Sequence, residues 1–546
     1  MQRIQRISGA LRGVLSRLLT LTAVGLTAAC GGLEETGEIA LVEGFAGLAA
    51  ADEPRATLVG RDILGNGGNA VDAAVAMYFT MAVTLPSRAG IASGGSCVLF
   101  DNGDKAGQAL VFHPMVTAGG GLAPTGIRAM AALHARQGRI RWAELLRPAE
   151  NLARFGFSTS RALARDVQAG AAVIERDAEL AKTFRTANGA LASEGSKIVQ
   201  LELSSVLSGI RSQGAAYVHA GTFAERFAQL SSAAGLTVTT AEIREAVPYL
   251  GAAIAIERGL LTRDVAYFPP PPAANGVIAA QLWRMLTEIE SYDGLASGDS
   301  AHLFAEAAMR SFADRGAWLA DGAAQRTVDV AAAESLVAEA HLEALLSNYE
   351  EARHTPVSAL PTQPLSLLEV PLGSSLVAAD RFGNAVACSQ TLNGLFGFGR
   401  TARGTGIVLA APPTQQRNGY VSSVAAVVGN TATGDLRFAA AGSGGSAAAT
   451  ALATVMLATV DEEEPLEPVM RAPRLHHQGQ PDTLFYEAGL PEAMVGELQG
   501  RGHALQEAPV LGRVNALVCP TGIRDRPGGC QVMSDPRGRG LGLIVQ

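Results

Sequence analysis

The 546-residue chain has no basic excess: 43 Lys and Arg stand against 51 Asp and Glu, for a net charge of −8. Nucleic-acid binding usually needs a clustered basic face, so that partner class is excluded. No low-complexity tract occurs, because apolar and polar residues alternate throughout, and this excludes a disordered chain. There is no CxxC pair, and the histidines are scattered, so linear spacing offers no metal-ligand set and no cofactor is expected. The adjacent His476 and His477 point to opposite faces if they lie on a strand, and then cannot share one ion. No apolar run is long enough for a durable membrane span.

What is present begins with a targeting segment over residues 1–29. Arg3, Arg6, Arg12 and Arg17 form a basic start without acids, and an apolar small-residue run follows from Leu18 to Ala29. Leu26-Thr27-Ala28-Ala29-Cys30 and two glycines read as a lipobox, with Cys30 the lipidated first residue and 30–40 a tether. That implies a periplasmic protein anchored to a bacterial membrane, the outer one being expected. An ordinary signal peptide with an incidental cysteine is the alternative. Losing four arginines takes the net charge to −12, so attachment rests on acyl chains and not on a basic patch. Cys519 and Cys530 flank a turn-rich segment. A hairpin disulfide in an oxidising compartment and two reduced thiols both stay open.

Apolar spacing predicts a helix over 62–81 and another over 141–156, interrupted near Pro148 and ended by Gly156. Residues 160–235 and 299–350 read as mostly helical. Pro269 to Pro272 make a stiff entry to an apolar helix over 277–286. The four prolines of 355–371 mark an exposed loop. A hairpin is predicted over 375–389, with strands over 406–410, 421–428 and 436–441. The glycine cluster Gly442 to Ser446 then opens a helix over 447–458. Helices first and strands late suggest a layered α/β fold and not two independent modules.

Several motifs carry a resemblance. Gly67-Gly68-Asn69-Ala70-Val71-Asp72-Ala73-Ala74, the segment Pro86 to Gly95, Pro270-Pro271-Pro272 with Gly276, and Gly383-Asn384-Ala385-Val386 occur in one order. Thr391-Leu392-Asn393, Gly406-Ile407, Ser422-Ser423, Gly444-Gly445-Ser446, Ala472 to Gln478 and Ser534-Asp535-Pro536-Arg537 continue it. Together, over about residues 45–540, the chain resembles the gamma-glutamyltranspeptidase family. The resemblance implies an α/β (α+β) four-layer αββα N-terminal-nucleophile fold, with 41–372 and 373–546 corresponding to large- and small-subunit regions of one globular domain. It also implies a precursor that cuts itself to free a threonine, whose amino group serves as base for its own hydroxyl. The family transfers or hydrolyses gamma-glutamyl groups, as from glutathione.

The departures fall on the chemistry. Counting back from Asp380 and Gly383-Asn384 without a gap, the family's threonine falls on Gly373, the next Thr/Ser position on Ser374 and the usual histidine on Ser375. Ser374 becomes the nucleophile only if the strand has lost a residue, and such a deletion turns every side chain to the opposite face. His113 stands where the family carries an arginine for the substrate carboxylate, and Gln415 where it carries the acid for the ammonium. Each lost charged hydrogen bond weakens binding by roughly 1.5–3 kcal/mol, together on the order of a hundredfold. Gly444 and Gly445 match the family's oxyanion-hole pair. Asn393, Ser422 and Ser423 match polar pocket positions. The expected ligand is a small-molecule amide or peptide. Three readings follow: a hydrolase using Ser374 on another substrate, a non-catalytic binding or assembly protein on the same fold, and a genuine gamma-glutamyl transferase.

Overall fold

The computed structural model describes residues 44–546 apart from 259–261, 290–291, 293, 296, 320–327, 366–371, 415–419 and 524–528. The targeting segment, Cys30 and Gln415 therefore lie outside the described residues. Thirteen strands build two sheets. They are β1 (Gly47–Ala51), β2 (Gly94–Asp101), β3 (Ala106–Val111), β4 (Tyr249–Ala252), β5 (Ile254–Arg258), β6 (Asp264–Phe268) and β7 (Ser374–Asp380). The rest are β8 (Ala385–Thr391), β9 (Val424–Asn430), β10 (Leu436–Ser443), β11 (Arg513–Val518), β12 (Gln531–Ser534) and β13 (Leu541–Val545). The first sheet runs β13-β1-β7-β8-β2-β3-β4 and the second β12-β11-β10-β9-β6-β5, every pair antiparallel.

The sheets face each other across a core of small residues, among them Ala50, Val377, Ala379, Ala387, Ala425, Val427, Ala439 and Ala441. Their outer faces carry the helices. α1 (Pro54–Gly65), α2 (Ala70–Thr84) and α3 (Trp142–Phe155) cover the first sheet; α4 (Ala274–Arg284), α5 (Gly298–Trp318) and α6 (Ala447–Met456) cover the second. The result is the four-layer αββα sandwich, and both sheets contain strands from both sides of residue 373, interleaved in the first and side by side in the second.

Local chemistry explains the shared motifs. Asn69 caps α2: its Oδ1 accepts from Asp72 N at 2.9 Å while Asp72 Oδ2 accepts from Asn69 N at 3.1 Å, a reciprocal capping box. Asp380 accepts from Ala70 N, Phe382 N and Asn384, tying the β7–β8 turn to the start of α2. At the far end, Asp535 takes Val514 N at 2.8 Å and the buried Arg474 at 2.9 Å.

Several expectations need correction. The helix over 62–81 is two helices, because Gly67, at φ +86°, and Gly68 break the run before the Asn69 cap. Pro148 does not interrupt α3: Leu145, Leu146, Ala149 and Ala153 bury one face, which outweighs the roughly 3 kcal/mol a mid-helix proline costs. The strand over 406–410 shrinks to Ile407–Val408. The helix-dominated first two-thirds supplies β1 to β6, six strands that apolar spacing did not show. Cys519 and Cys530 are paired, and so are Cys97 on β2 and Cys388 on β8, directly opposite each other in the ladder. Among the described residues no helix is long and apolar enough to cross a membrane.

Candidate active site

Gly373 stands at the head of β7 with φ +143°. A Cβ built on it would lie 3.7 Å from Ser443 Cβ, the last residue of β10, and 3.2 Å from Gln390 O. Residue 373 therefore faces the second sheet, beside the glycine pair that follows Ser443. Gly444 takes φ +120°, and a Cβ there would come within 2.9 Å of Gly512 Cα, so only glycine fits. Gly445 takes φ +73°; its carbonyl accepts from Asn275 Nδ2 at 3.0 Å, and α6 starts two residues later.

Side chains alternate along a strand, so Ser374 and Ser375 part company. Ser374 shares a face with Leu376 and Ala378, which pack against the α1–α3 layer, and its enclosed Oγ has no hydrogen-bond partner. The structure thus does not bring the Ser374 hydroxyl to the side of Gly444 and Gly445. Ser375 faces the other sheet, where its Oγ accepts from Asn515 Nδ2 at 2.7 Å.

Asp52 is the hub of that side, and the sequence reading missed it. Its carboxylate accepts from Ser375 N at 2.9 Å, Asn515 Nδ2 at 3.0 Å and Ser443 Oγ at 3.2 Å. Burial pushes its carboxyl pKa up, against the opposing pull of Arg513 and Arg88. Arg88 is itself held by a bidentate pair with Asp166, whereas the Nε of the buried Arg513 has no partner. A small cleft of about 10 Å³, room for roughly one water, lies over this set, lined among others by Asp52, Arg88, Arg513 and Arg539. The signal available in sequence was Asp52-Glu53-Pro54, an acid pair before a helix-starting proline. It reads equally as a cap, which is what Glu53 does for α1.

The pocket positions sort as follows. His113 Nε2 lies 3.3 Å from Ser423 Oγ. That hydroxyl already donates to Tyr420 O at 3.0 Å and accepts from Ser96, so His113 must donate. Burial lowers the His113 pKa to about 3, so the ring is neutral at ordinary pH and supplies one donor but no charge. Asn393, at φ +58°, spends its Nδ2 on Ala411 O and Pro412 O, bracing the strand-like run that leads to residue 415. Ser422 is buried, and its carbonyl accepts from Asn275. His113 and Ser423 are thus brought together, Gly373 is placed beside the Ser443–Gly445 turn, and Ser374 is separated from it.

An αββα sandwich with a strand head facing a glycine turn defines an N-terminal-nucleophile-type scaffold. The family model for gamma-glutamyltranspeptidase matches residues 56–419 and 415–545, and the chain belongs to that family. It is 27% identical over 524 residues to the glutathione hydrolase proenzyme of Escherichia coli (strain K12), covering 86% of this chain and 88% of that protein. It is 28% identical to the acylase ACY 1 proenzyme of Pseudomonas sp. (strain V22), covering 87% and 90%. Among solved structures, the cephalosporin acylase from Bacillus halodurans matches with a TM-score of 0.77 at 21% identity, over 92% of this chain and 96% of that one, which supports the fold.

Proposed function

We propose that this chain keeps the gamma-glutamyltranspeptidase scaffold but neither cuts itself before residue 373 nor turns over gamma-glutamyl amides, and that it serves as a ligand-binding protein. The observation that carries this is Gly373: the position facing Ser443 and the glycine turn has no hydroxyl to attack with and none to accept an acyl group. The neutral His113 supports it, since its one N–H is spent on Ser423 and the ring offers no cation for a carboxylate. A denaturing gel of the purified protein tests it: a single uncut band is expected, and pieces of about 340 and 174 residues with gamma-glutamyl amide hydrolysis refute it.

The acylases among the relatives favour a second reading, amide hydrolysis by Ser374 on a substrate without the glutamyl head group. It requires cleavage at Gly373–Ser374 that Ser374→Ala abolishes. Export to the periplasm with lipidation at Cys30 belongs to the same proposal, supported by two disulfides that suit an oxidising compartment. Cys30→Ser should release the protein from the membrane fraction; retention there refutes the anchor.

A further inference from the structure

Four histidines far apart in sequence meet in one buried cluster between α5, the 348–355 loop and the end of α7 (Glu492–Gly500). His302 and Glu306 lie four apart on α5 and so share a helix face. Both are fully buried, and His503 is 5% exposed. The metal-capable atoms of these three lie within 4.8 Å of one another. His302 Nδ1 is 2.7 Å from His503 Nε2. His354 Nδ1 is 2.6 Å from Glu306 Oε1, and its ring centroid is 4.5 Å from that of His503.

The hydrogen bonds around the cluster fix which nitrogens are available. His302 Nε2 faces the Glu350 carbonyl at 3.0 Å, so its proton sits there and the Nδ1 lone pair points inward. His354 Nε2 faces Asp482 Oδ1 at 3.0 Å, which directs its Nδ1 inward in the same way. Glu306 is oriented by Arg310 at 2.5 Å on Oε2, leaving Oε1 toward the cluster. His302, His354 and Glu306 are thus backed by a carbonyl, a carboxylate and a guanidinium, the outer-shell pattern that orients metal ligands, whereas His503 Nδ1 has no such partner. His477 is different. Its Nδ1 accepts from Gly479 N at 3.1 Å, so its proton is on Nε2 and points at Asp482, 3.4 Å away. His477 and Asp482 are therefore supporting groups and not a second ion site.

We propose that His302 Nδ1, Glu306 Oε1, His354 Nδ1 and His503 Nε2 form a structural site for one divalent transition ion of the zinc class. Three imidazoles and one carboxylate make a closed tetrahedral donor set suited to zinc, with no position left for water or substrate. Ligands at about 2.0–2.1 Å from zinc sit roughly 3.3 Å from each other, so the 2.6 and 2.7 Å separations open by a few tenths of an ångström when the ion enters. The competing arrangement is a protonated His354 bridging Glu306 and Asp482. It balances charge and lets His503 Nε2–H donate to His302 Nδ1; like the metal site, it leaves His503 Nδ1 without a partner, so the two arrangements differ in what occupies the centre. Binding releases that His354 proton. The ion would pin the loop at His354, Thr355 and Val357, from which the chain runs on toward Gly373. The site is independent of whether the chain cuts itself.

Metal analysis of the full chain tests this. After dialysis against zinc and then buffer, one zinc per chain is expected. Cobalt substitution should give the intense visible absorption of a tetrahedral site. His302→Gln and His503→Gln should each weaken zinc binding at least about a hundredfold, and Asp482→Asn about 10- to 100-fold. His134→Gln, away from the cluster, should leave it unchanged. Circular dichroism identifies a variant that has failed to fold, in which case the cobalt spectrum of the wild-type chain decides. Less than about a tenth of a zinc per chain, an octahedral cobalt spectrum, or full zinc retention in folded His302→Gln and His503→Gln chains overturns the proposal.

Discussion

Removing the Asp52 carboxylate should be the most damaging single change near the candidate site, and the damage should depend on Arg513. Asp52→Ala strips the acceptor from Ser375 N, from one Asn515 N–H and from Ser443 Oγ, all buried. It also leaves Arg513, 8% exposed, with its Nε unpartnered and the Arg88 charge nearby. The two groups flank Gly538: a Cβ built there lies 3.7 Å from Arg513 Cδ and 3.8 Å from Asp52 Oδ1. Each buried donor left without its acceptor costs about 1–3 kcal/mol, and the Arg513 charge also loses a through-space partner. Against a total stability of about 5–15 kcal/mol, Asp52→Ala leaves a marginal fold. Arg513→Ala in the same background removes the stranded charge, so the double variant should recover about 2 kcal/mol relative to the summed single losses. Urea unfolding of the wild type, both single variants and the double variant measures this. Additivity within about 0.5 kcal/mol would refute the coupling and show Asp52 to be a hydrogen-bond acceptor only.

Ser374→Ala should be neutral or stabilising by up to about 1 kcal/mol, since the enclosed hydroxyl has no partner to lose; a loss above about 1 kcal/mol in urea unfolding would contradict this. His219 is 1% exposed, its Nδ1 donates to Ile243 O and its Nε2 has no acceptor, and burial lowers its pKa from 6.5 to about 4. A depressed histidine pKa means full stability above pH 6.5 and loss as pH falls toward 4, up to about 3 kcal/mol, and His219→Gln should flatten that part of the stability–pH curve. An unchanged slope between pH 6.5 and 4 counts against it. The Cys97–Cys388 bridge closes a loop across 291 positions, so the chain-entropy relation gives about 6 kcal/mol for the Cys97→Ala/Cys388→Ala pair. A measured loss below about 1 kcal/mol would show that the denatured chain gains little freedom without the bridge.

The late strands were legible because their turns carry glycine: Gly383-Asn384 closes the β7–β8 hairpin with Gly383 at φ +91°. The early strands were not. β1 reads Gly-Leu-Ala-Ala-Ala, a poor strand by intrinsic preference, and its place is set by pairing with β7 and β13 on either side. Small residues suit the closely packed inter-sheet layer, which linear spacing does not reveal. The candidate site shows the same division. Gly373, Ser374 and His113 were placed by counting along motifs, but Asp52, just after β1, and Arg513 and Asn515, both on β11, come from two distant segments joined only where the two sheets pack. His302 and Glu306 share one helix face, a signal the sequence reading passed over when it took the histidines as scattered. His354 and His503 arrive from loops, where sequence separation says nothing of distance.

Many motif residues that carry the family resemblance do structural work. Asn69 and Asp72 cap a helix, Asp380 joins a turn to that helix, and Arg474 and Asp535 clasp the second sheet. Gly444 is required because Gly512 leaves no room for a Cβ. Replacing any one of these strands buried backbone donors or a buried charge at a cost of about 1–5 kcal/mol, whatever chemistry the sandwich hosts. A residue that contacts only a substrate has no such hold on the fold. Ten motifs in order therefore argue strongly for the scaffold, while activity has to be argued at Gly373, a position without a hydroxyl, and at His113, a neutral imidazole.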